Sequence, residues 1–148
     1  TWVRMILCGF QINMDGPSKM KIYYAGSVSA GLEKDRDLPK NIVRFCQSRG
    51  AQVLTEHVAY ADDKHVKDSL FARNTGRDIE ALSKTPGALD QFIRQQAFLW
   101  LDDCTHFIGV VNVPSWGVGM EIERCLSRPQ RNLPPAKMLL LRSVELDA

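Results

Sequence analysis

Two hydrophobic periods alternate along this chain. Lys21 to Ser27 (KIYYAGS) runs β-branched and aromatic residues into a glycine-bearing turn and predicts a first strand. Gly26, Ser29 and Gly31 keep that turn small. The period then lengthens: Asp37, Leu38 and Pro39 form a helix entry, Ile42, Val43, Phe45 and Cys46 give an apolar face, and Gly50 ends it. Gln52 to Val58 (QVLTEHV) has the composition of a second strand, and the order strand, helix, strand forces parallel pairing. Ala61 to Gly87 is polar and less regular, with helical potential at Ile79 to Leu82, and reads as a flexible segment over a site. Leu89, Ile93, Ala97, Trp100, Leu101 and Cys104 recur at helical spacing and predict a helix over 89–103 with one face against a sheet. Thr105 to Asn112 (THFIGVVN) reads as a buried strand, followed by a glycine-bearing turn and a helix reaching Leu126. A loop over 129–135 leads to a last strand, Lys137 to Arg142 (KMLLLR).

Strands and helices alternating across glycine turns predict an α/β fold: a flavodoxin- or Rossmann-like open parallel sheet with helices on both faces. In such sheets ligands bind beyond the carboxyl ends of the strands. Three segments bring polar or glycine residues to that edge: Gly26 to Gly31, Thr55 to His57, and Asn112 to Glu121. The expected organisation is an N-terminal extension over 1–20, whose role the residues do not indicate, and one nucleotide-binding domain of catalytic type over 21–148.

Composition narrows the function. The 148 residues suit one domain, and 45% hydrophobic with 24% charged residues excludes a disordered or fibrous chain. With 19 basic against 17 acidic residues, a net charge of +2 and no basic run, duplex nucleic acid is not an expected partner; a mononucleotide needs no such patch. Cys8, Cys46, Cys104 and Cys125 form neither a CxxC pair nor a metal-spaced cluster, so neither a disulfide scaffold nor a metal site is expected. A reducing compartment follows, cytoplasm or nucleus. No apolar run approaches the ~20 residues of a membrane helix, and Thr1 to Phe10 lacks the continuous apolar stretch of a signal peptide.

Two glycine segments carry the candidate chemistry. Gly26-Ser27-Val28-Ser29-Ala30-Gly31 offers unobstructed backbone N–H groups and hydroxyls to a phosphate, or serves only as a turn. Ser115-Trp116-Gly117-Val118-Gly119-Met120-Glu121 opens a helix just past a strand, with Glu121 expected in the first helical turn. A helix N-terminus favours anions, which suits a phosphate at Ser115 and Gly117 and an ionised Glu121, as nucleophilic substitution at a sugar carbon requires. The competing reading makes Glu121 a plain first-turn charge. Tyr23 and Tyr24 point to opposite faces of the first strand, and Tyr23 is the one assigned to the site. His57 touches a base, assists proton transfer, or is a hydrogen-bonded structural residue. Trp116 either stacks on a base or is a loop aromatic.

Tyr23-Tyr24-Ala25-Gly26-Ser27, Val53 to Ala59 (VLTEHVA), Trp100-Leu101 and Pro114 to Glu121 (PSWGVGME), taken together, resemble the 2′-deoxynucleoside 5′-phosphate N-hydrolases of the nucleoside 2-deoxyribosyltransferase superfamily. The resemblance runs from about Lys21 to Arg142. It implies a flavodoxin-like homodimer that splits the N-glycosidic bond of a deoxynucleoside 5′-monophosphate into free base and 2-deoxyribose 5-phosphate, with no metal or organic cofactor. It implies Glu121 as nucleophile, Tyr23 as the residue orienting carboxylate and sugar, and Gly26, Ser27, Gly31, Ser115 and Gly117 on the phosphate; Ser29, His57, Ala97 and Gly119 complete the expected substrate-binding set.

The chain departs from that pattern in three places. Ala97 stands where the family has an aspartate that holds the sugar and handles the leaving base's proton, and such assistance is typically worth ~10²–10⁴-fold. Ser29 replaces the arginine of the first glycine turn. No counterpart of the family's downstream serine region, which reaches the partner subunit, is evident. Two further readings therefore stand beside hydrolysis: a transferase moving deoxyribose between bases, and a nucleotide-binding protein without turnover.

Overall fold

The computed structural model describes residues 3–8, 19–26 and 37–143, with side chains over 19–26 and 37–142. The strands among them are β1 (Val3–Cys8), β2 (Lys21–Gly26), β3 (Gln52–Val53), β4 (His106–Val110) and β5 (Lys137–Ser143), joined into one sheet in the order β1-β5-β4-β2-β3. The helices are α1 (Asp37–Ser48), α2 (Lys64–Thr75), α3 (Ile79–Ser83), α4 (Ala88–Asp103) and α5 (Trp116–Leu126).

The interior of the sheet is parallel. Ile22 faces Val53 on one side and His106 on the other, and β4 continues the pattern from His106 opposite Lys137 to Val110 opposite Leu141. On the outer edge β1 runs antiparallel to β5, from Val3 opposite Ser143 to Cys8 opposite Met138. Part of the expected N-terminal extension thus adds a strand, giving four parallel strands and one antiparallel edge strand, a common variation on an open α/β sheet.

Strand alternation divides the core. Tyr23, Ala25 and Phe107 face α4 and α5, where Trp100, Leu101, Cys104, Val118 and Cys125 are buried. Ile22, Tyr24 and Ile108 face the opposite layer with Val43 and Cys46 of α1. Helices therefore cover both faces, as expected of this class.

Three local expectations are corrected. The strand expected over Gln52 to Val58 pairs with β2 only at Gln52–Val53 and then becomes a 3-10 turn, Glu56–Tyr60. The reason lies in Thr55. Leu54 N still donates to Ile22 O at 2.8 Å, but at the next step the Thr55 hydroxyl accepts from Tyr24 N (2.8 Å) and donates to Tyr24 O (2.7 Å). A side chain satisfies the ladder groups of β2, so the Thr55 backbone is released to turn away. The segment expected to be irregular carries α2 and α3. The Asp63 side chain accepts from Val66 N at the start of α2, and Gly76 at φ 67° closes its end with Gly76 N donating to Ala72 O. In α1, Phe45 is exposed rather than part of the packed face, and Arg49 lies over its ring at 5.2 Å.

Candidate active site

The middle of β2 and the second turn of α5 meet at a hydrogen bond. Tyr23 Oη donates to Glu121 Oε1 at 2.8 Å. Tyr23 is held from behind by Phe107 of the adjacent β4, whose ring stacks parallel to it at 5.6 Å, so the phenol has little rotational freedom. Tyr24 turns to the other face, where its hydroxyl would lie 2.8 Å from a Cβ placed on Gly26. Glycine is therefore required at the end of β2 by its own neighbour, independently of any ligand.

Glu121 sits one turn deeper than expected. Ser115 caps α5, its hydroxyl accepting from Val118 N at 3.4 Å, and the helix begins at Trp116, so Glu121 lies in the second turn. The helix terminus acts mainly over the first turn, so it is not what sets the state of this carboxyl. Burial pushes the Glu121 carboxyl above its ordinary range, and the hydrogen bond from Tyr23 offsets part of that rise. Burial, then the Glu121 charge, drive the Tyr23 phenol far upward. Tyr23 accordingly remains the donor and the carboxylate the acceptor.

His57 occupies the 3-10 turn Glu56–Tyr60. Its ring packs edge-on against Phe71 of α2 at 5.0 Å and tilted against Trp100 of α4 at 5.8 Å. Burial first, and Lys67 second, bring His57 down to about 4, against a smaller opposing effect of Glu56. The imidazole is neutral near pH 7. Its Nδ1 is buried with no hydrogen-bond partner among the described residues. Ala97 lies half-buried on α4, one turn before Trp100, and brings no ionisable group there. Gly117 and Gly119 lie in the first turn of α5 beyond Ser115. Of the first glycine turn only Gly26 is described; Ser27, Ser29 and Gly31 lie outside the described residues.

The structure thus joins Tyr23 to Glu121 and sets His57 against the α4 wall that carries Ala97 and Trp100. It also adds groups that the sequence did not single out. Phe71 became visible only with α2, and Phe107 backs Tyr23 through sheet pairing. Cys104 and Cys125 share the core cluster of Tyr23. Hydrogen bonding to Cys104, and the nearby Arg128, lower the Cys125 thiol, while that same contact and burial raise Cys104. No group of three or more His, Cys, Asp or Glu side chains capable of holding a metal ion occurs among the described residues. No helix among them is long and apolar enough to cross a membrane.

An open groove of about 710 Å³ between α4 and α5 is lined by Phe98, Ser115, Trp116, Met120 and Arg124 among others. Glu121 is not one of its walls. At the Tyr23–Glu121 contact a half-buried carboxylate is held by a buried phenol.

No family model matches the chain. It is 34% identical over 118 residues to the 5-hydroxymethyl-dUMP N-hydrolase of Rattus norvegicus, covering 74% of this chain and 61% of the rat protein. It is 32% identical over 123 residues to the Homo sapiens protein of the same name, covering 77% and 60%. A Nematostella vectensis protein, provisionally named 2′-deoxynucleoside 5′-phosphate N-hydrolase 1, is 34% identical over 121 residues, covering 74% and 69%. The chain spans about three fifths of the length of the rat and human relatives.

Proposed function

Because the chain belongs to the 2′-deoxynucleoside 5′-phosphate N-hydrolase family, we propose that it hydrolyses the N-glycosidic bond of 2′-deoxynucleoside 5′-monophosphates. The observation that carries the reading is the hydrogen bond from Tyr23 Oη to Glu121 Oε1 at 2.8 Å. Tyr23 holds one carboxylate oxygen and Oε2 attacks the anomeric carbon. The bond from C1′ to the base nitrogen breaks through an oxocarbenium-like transition state, and its electron pair leaves with the base, which takes up a proton. The resulting glycosyl ester is opened by water, returning the Glu121 carboxylate and giving 2-deoxyribose 5-phosphate, the two-step logic of retaining glycosidases. A carboxyl raised by burial suits this role, since a poorly solvated anion is a stronger nucleophile and the Tyr23 donor keeps it ionised.

The 5′-phosphate is assigned to the start of α5, at Ser115 and Gly117, where the first helical amides lack intrahelical partners. The turn Gly26, Ser27, Ser29, Gly31 is assigned to the same phosphate, and His57 and Gly119 to the remaining substrate contacts. No metal or organic cofactor enters the scheme. Cys46, Cys104 and Cys125 are free thiols, which agrees with a reducing cytoplasmic or nuclear setting.

A panel of deoxynucleoside monophosphates headed by 5-hydroxymethyl-dUMP, the compound for which the rat and human relatives are named, tests the proposal. Free base and 2-deoxyribose 5-phosphate should be released, and release should vanish in Glu121→Ala. Turnover surviving in that variant removes Glu121 as nucleophile; an added acceptor base that accelerates donor loss makes the protein a transferase. Ala97 favours a second reading, a nucleotide-binding protein without turnover. Calorimetric binding with no base release, in wild type and in Ala97→Asp alike, establishes that reading, whereas a rate gained in Ala97→Asp returns the site to catalysis.

We further infer a homodimer through the groove between α4 and α5. Trp116 and Met120 are 92% and 60% exposed there, an apolar surface of the kind that marks a protein contact. Sedimentation of wild type against Trp116→Asp tests it: a dimer should become monomeric.

A further inference from the structure

One buried residue of the central strand weakens that strand with no local backbone reason. Gly109 of β4 pairs with Ala25 of β2 on one side and Leu140 of β5 on the other, in unbroken register on both. The left-handed backbone that favours glycine occurs at Gly50, Gly76 and Gly87, not here. A glycine inside a regular strand adds backbone entropy to the unfolded chain and brings no side chain to pack, so its presence calls for a neighbour that uses the space.

The neighbour is Phe107. A Cβ at position 109 would lie 2.9 Å from Phe107 Cε1 and 3.0 Å from Leu140 Cδ2. Phe107, two residues earlier on the same face of β4, therefore leans along the strand across the glycine. Its ring is 0% exposed and lies 6° from the plane of Tyr23, with the centroids 5.6 Å apart. The two contacts would yield differently to an added methyl group. The Leu140 methyl sits at the end of a flexible chain and can rotate, whereas the Phe107 ring moves as a plate, and Tyr23 is stacked on that plate.

We propose that Gly109 is a positioning residue for the Tyr23–Glu121 pair: its missing side chain leaves the hollow in which the Phe107 ring lies parallel to Tyr23, and so holds the phenol on the carboxylate. The packing stands by itself; that the pair performs chemistry rests on the function proposed above.

The first test needs no turnover. The Glu121 carboxyl of the full chain is titrated by 13C NMR in wild type, Gly109→Ala, Phe107→Leu and the double variant. Burial raises this carboxyl and the Tyr23 hydrogen bond lowers it. A displaced phenol therefore lets the midpoint rise, whereas a fold that merely loosens admits water and lets it fall. Gly109→Ala and Phe107→Leu should each raise it. Phe107→Leu adds no atoms to the core, so it carries the same expectation should Gly109→Ala not fold. In the double variant Gly109→Ala should add nothing further, because the ring through which it acts is gone. A folded single variant with an unchanged or lower midpoint overturns the proposal, as does a double variant in which the two shifts add in full.

The kinetic arm uses 5-hydroxymethyl-dUMP. Gly109→Ala should lower kcat by about tenfold or more, the effect of one hydrogen bond to a charged group, with KM within about threefold. A rise in KM at constant kcat contradicts the positioning role. Should wild type release no base at all, the proposed reaction fails, and the carboxyl titration still decides the role of Gly109.

Discussion

Replacing Tyr23 by phenylalanine removes one hydrogen bond and little else. The ring is retained, and so is its parallel stack on Phe107 at 5.6 Å, so folding should be nearly unaffected. What disappears is the donor 2.8 Å from Glu121 Oε1. A hydrogen bond to a charged group contributes about 1.5–3 kcal/mol, and each 1.36 kcal/mol in a barrier is tenfold in rate, so kcat/KM should fall about 10- to 150-fold. The pH profile supplies a second readout with a definite sign. The Tyr23 donor lowers the Glu121 carboxyl against the rise caused by burial, so its loss lets that carboxyl climb. If the nucleophile must be ionised, the acid limb of kcat/KM moves to higher pH in Tyr23→Phe. The assay is base release from 5-hydroxymethyl-dUMP between pH 4 and 8, with thermal melting in parallel. A folded variant with unchanged kcat/KM and an unmoved acid limb would refute the coupling of Tyr23 to Glu121.

Further outcomes follow from the same geometry. Glu121→Gln should abolish turnover and stabilise the fold at higher pH. Burial favours the protonated carboxyl, so wild type loses stability as pH rises through the folded titration while the amide does not, and melting curves of the two should converge in acid. Thr55→Val should lower stability by about 1–3 kcal/mol in urea unfolding, because it strips the buried Tyr24 N–H and C=O of their partner. His57 titrates at about 4 in the folded chain against 6.5 ordinarily. Its contribution is therefore complete above pH 6.5 and is lost as pH falls toward 4, by about 3 kcal/mol in total. His57→Phe should flatten that part of the pH–stability curve.

The elements most legible in the sequence were those with both a period and a punctuation mark. α4 had apolar spacing, and β2 and β4 had β-rich runs ending at turns. α2 was missed because it buries only Phe71 and so leaves almost no period, although its caps, Asp63 and Gly76, are plain in retrospect. Gln52 to Val58 misled because propensity describes backbone preference, while the event that ends β3 is a side-chain hydroxyl taking over the ladder of a neighbouring strand. β1 pairs with the opposite end of the chain, a contact no local pattern encodes. At the site, period-two alternation put Tyr23 and Tyr24 on opposite faces, and the structure puts Tyr23, the one assigned to the site, on the Glu121 side. The helical turn of Glu121 was misjudged because Ser115 starts α5 earlier than the glycines suggest. Nothing in the order of residues foretold that Phe71, His57 and Trp100 would meet, since they come from three elements.

The antiparallel pairing of β1 with β5 bears on how this protein can be handled. β5 is an apolar strand, Met138 to Leu141, and with β1 in place its outer row of main-chain donors and acceptors is occupied. A fragment beginning at Lys21 would keep the Tyr23–Glu121 contact but leave that row bare, as a flat sticky margin ready to recruit another molecule by strand addition. Insolubility of such a fragment would therefore report an uncovered sheet margin rather than a lost Tyr23–Glu121 contact.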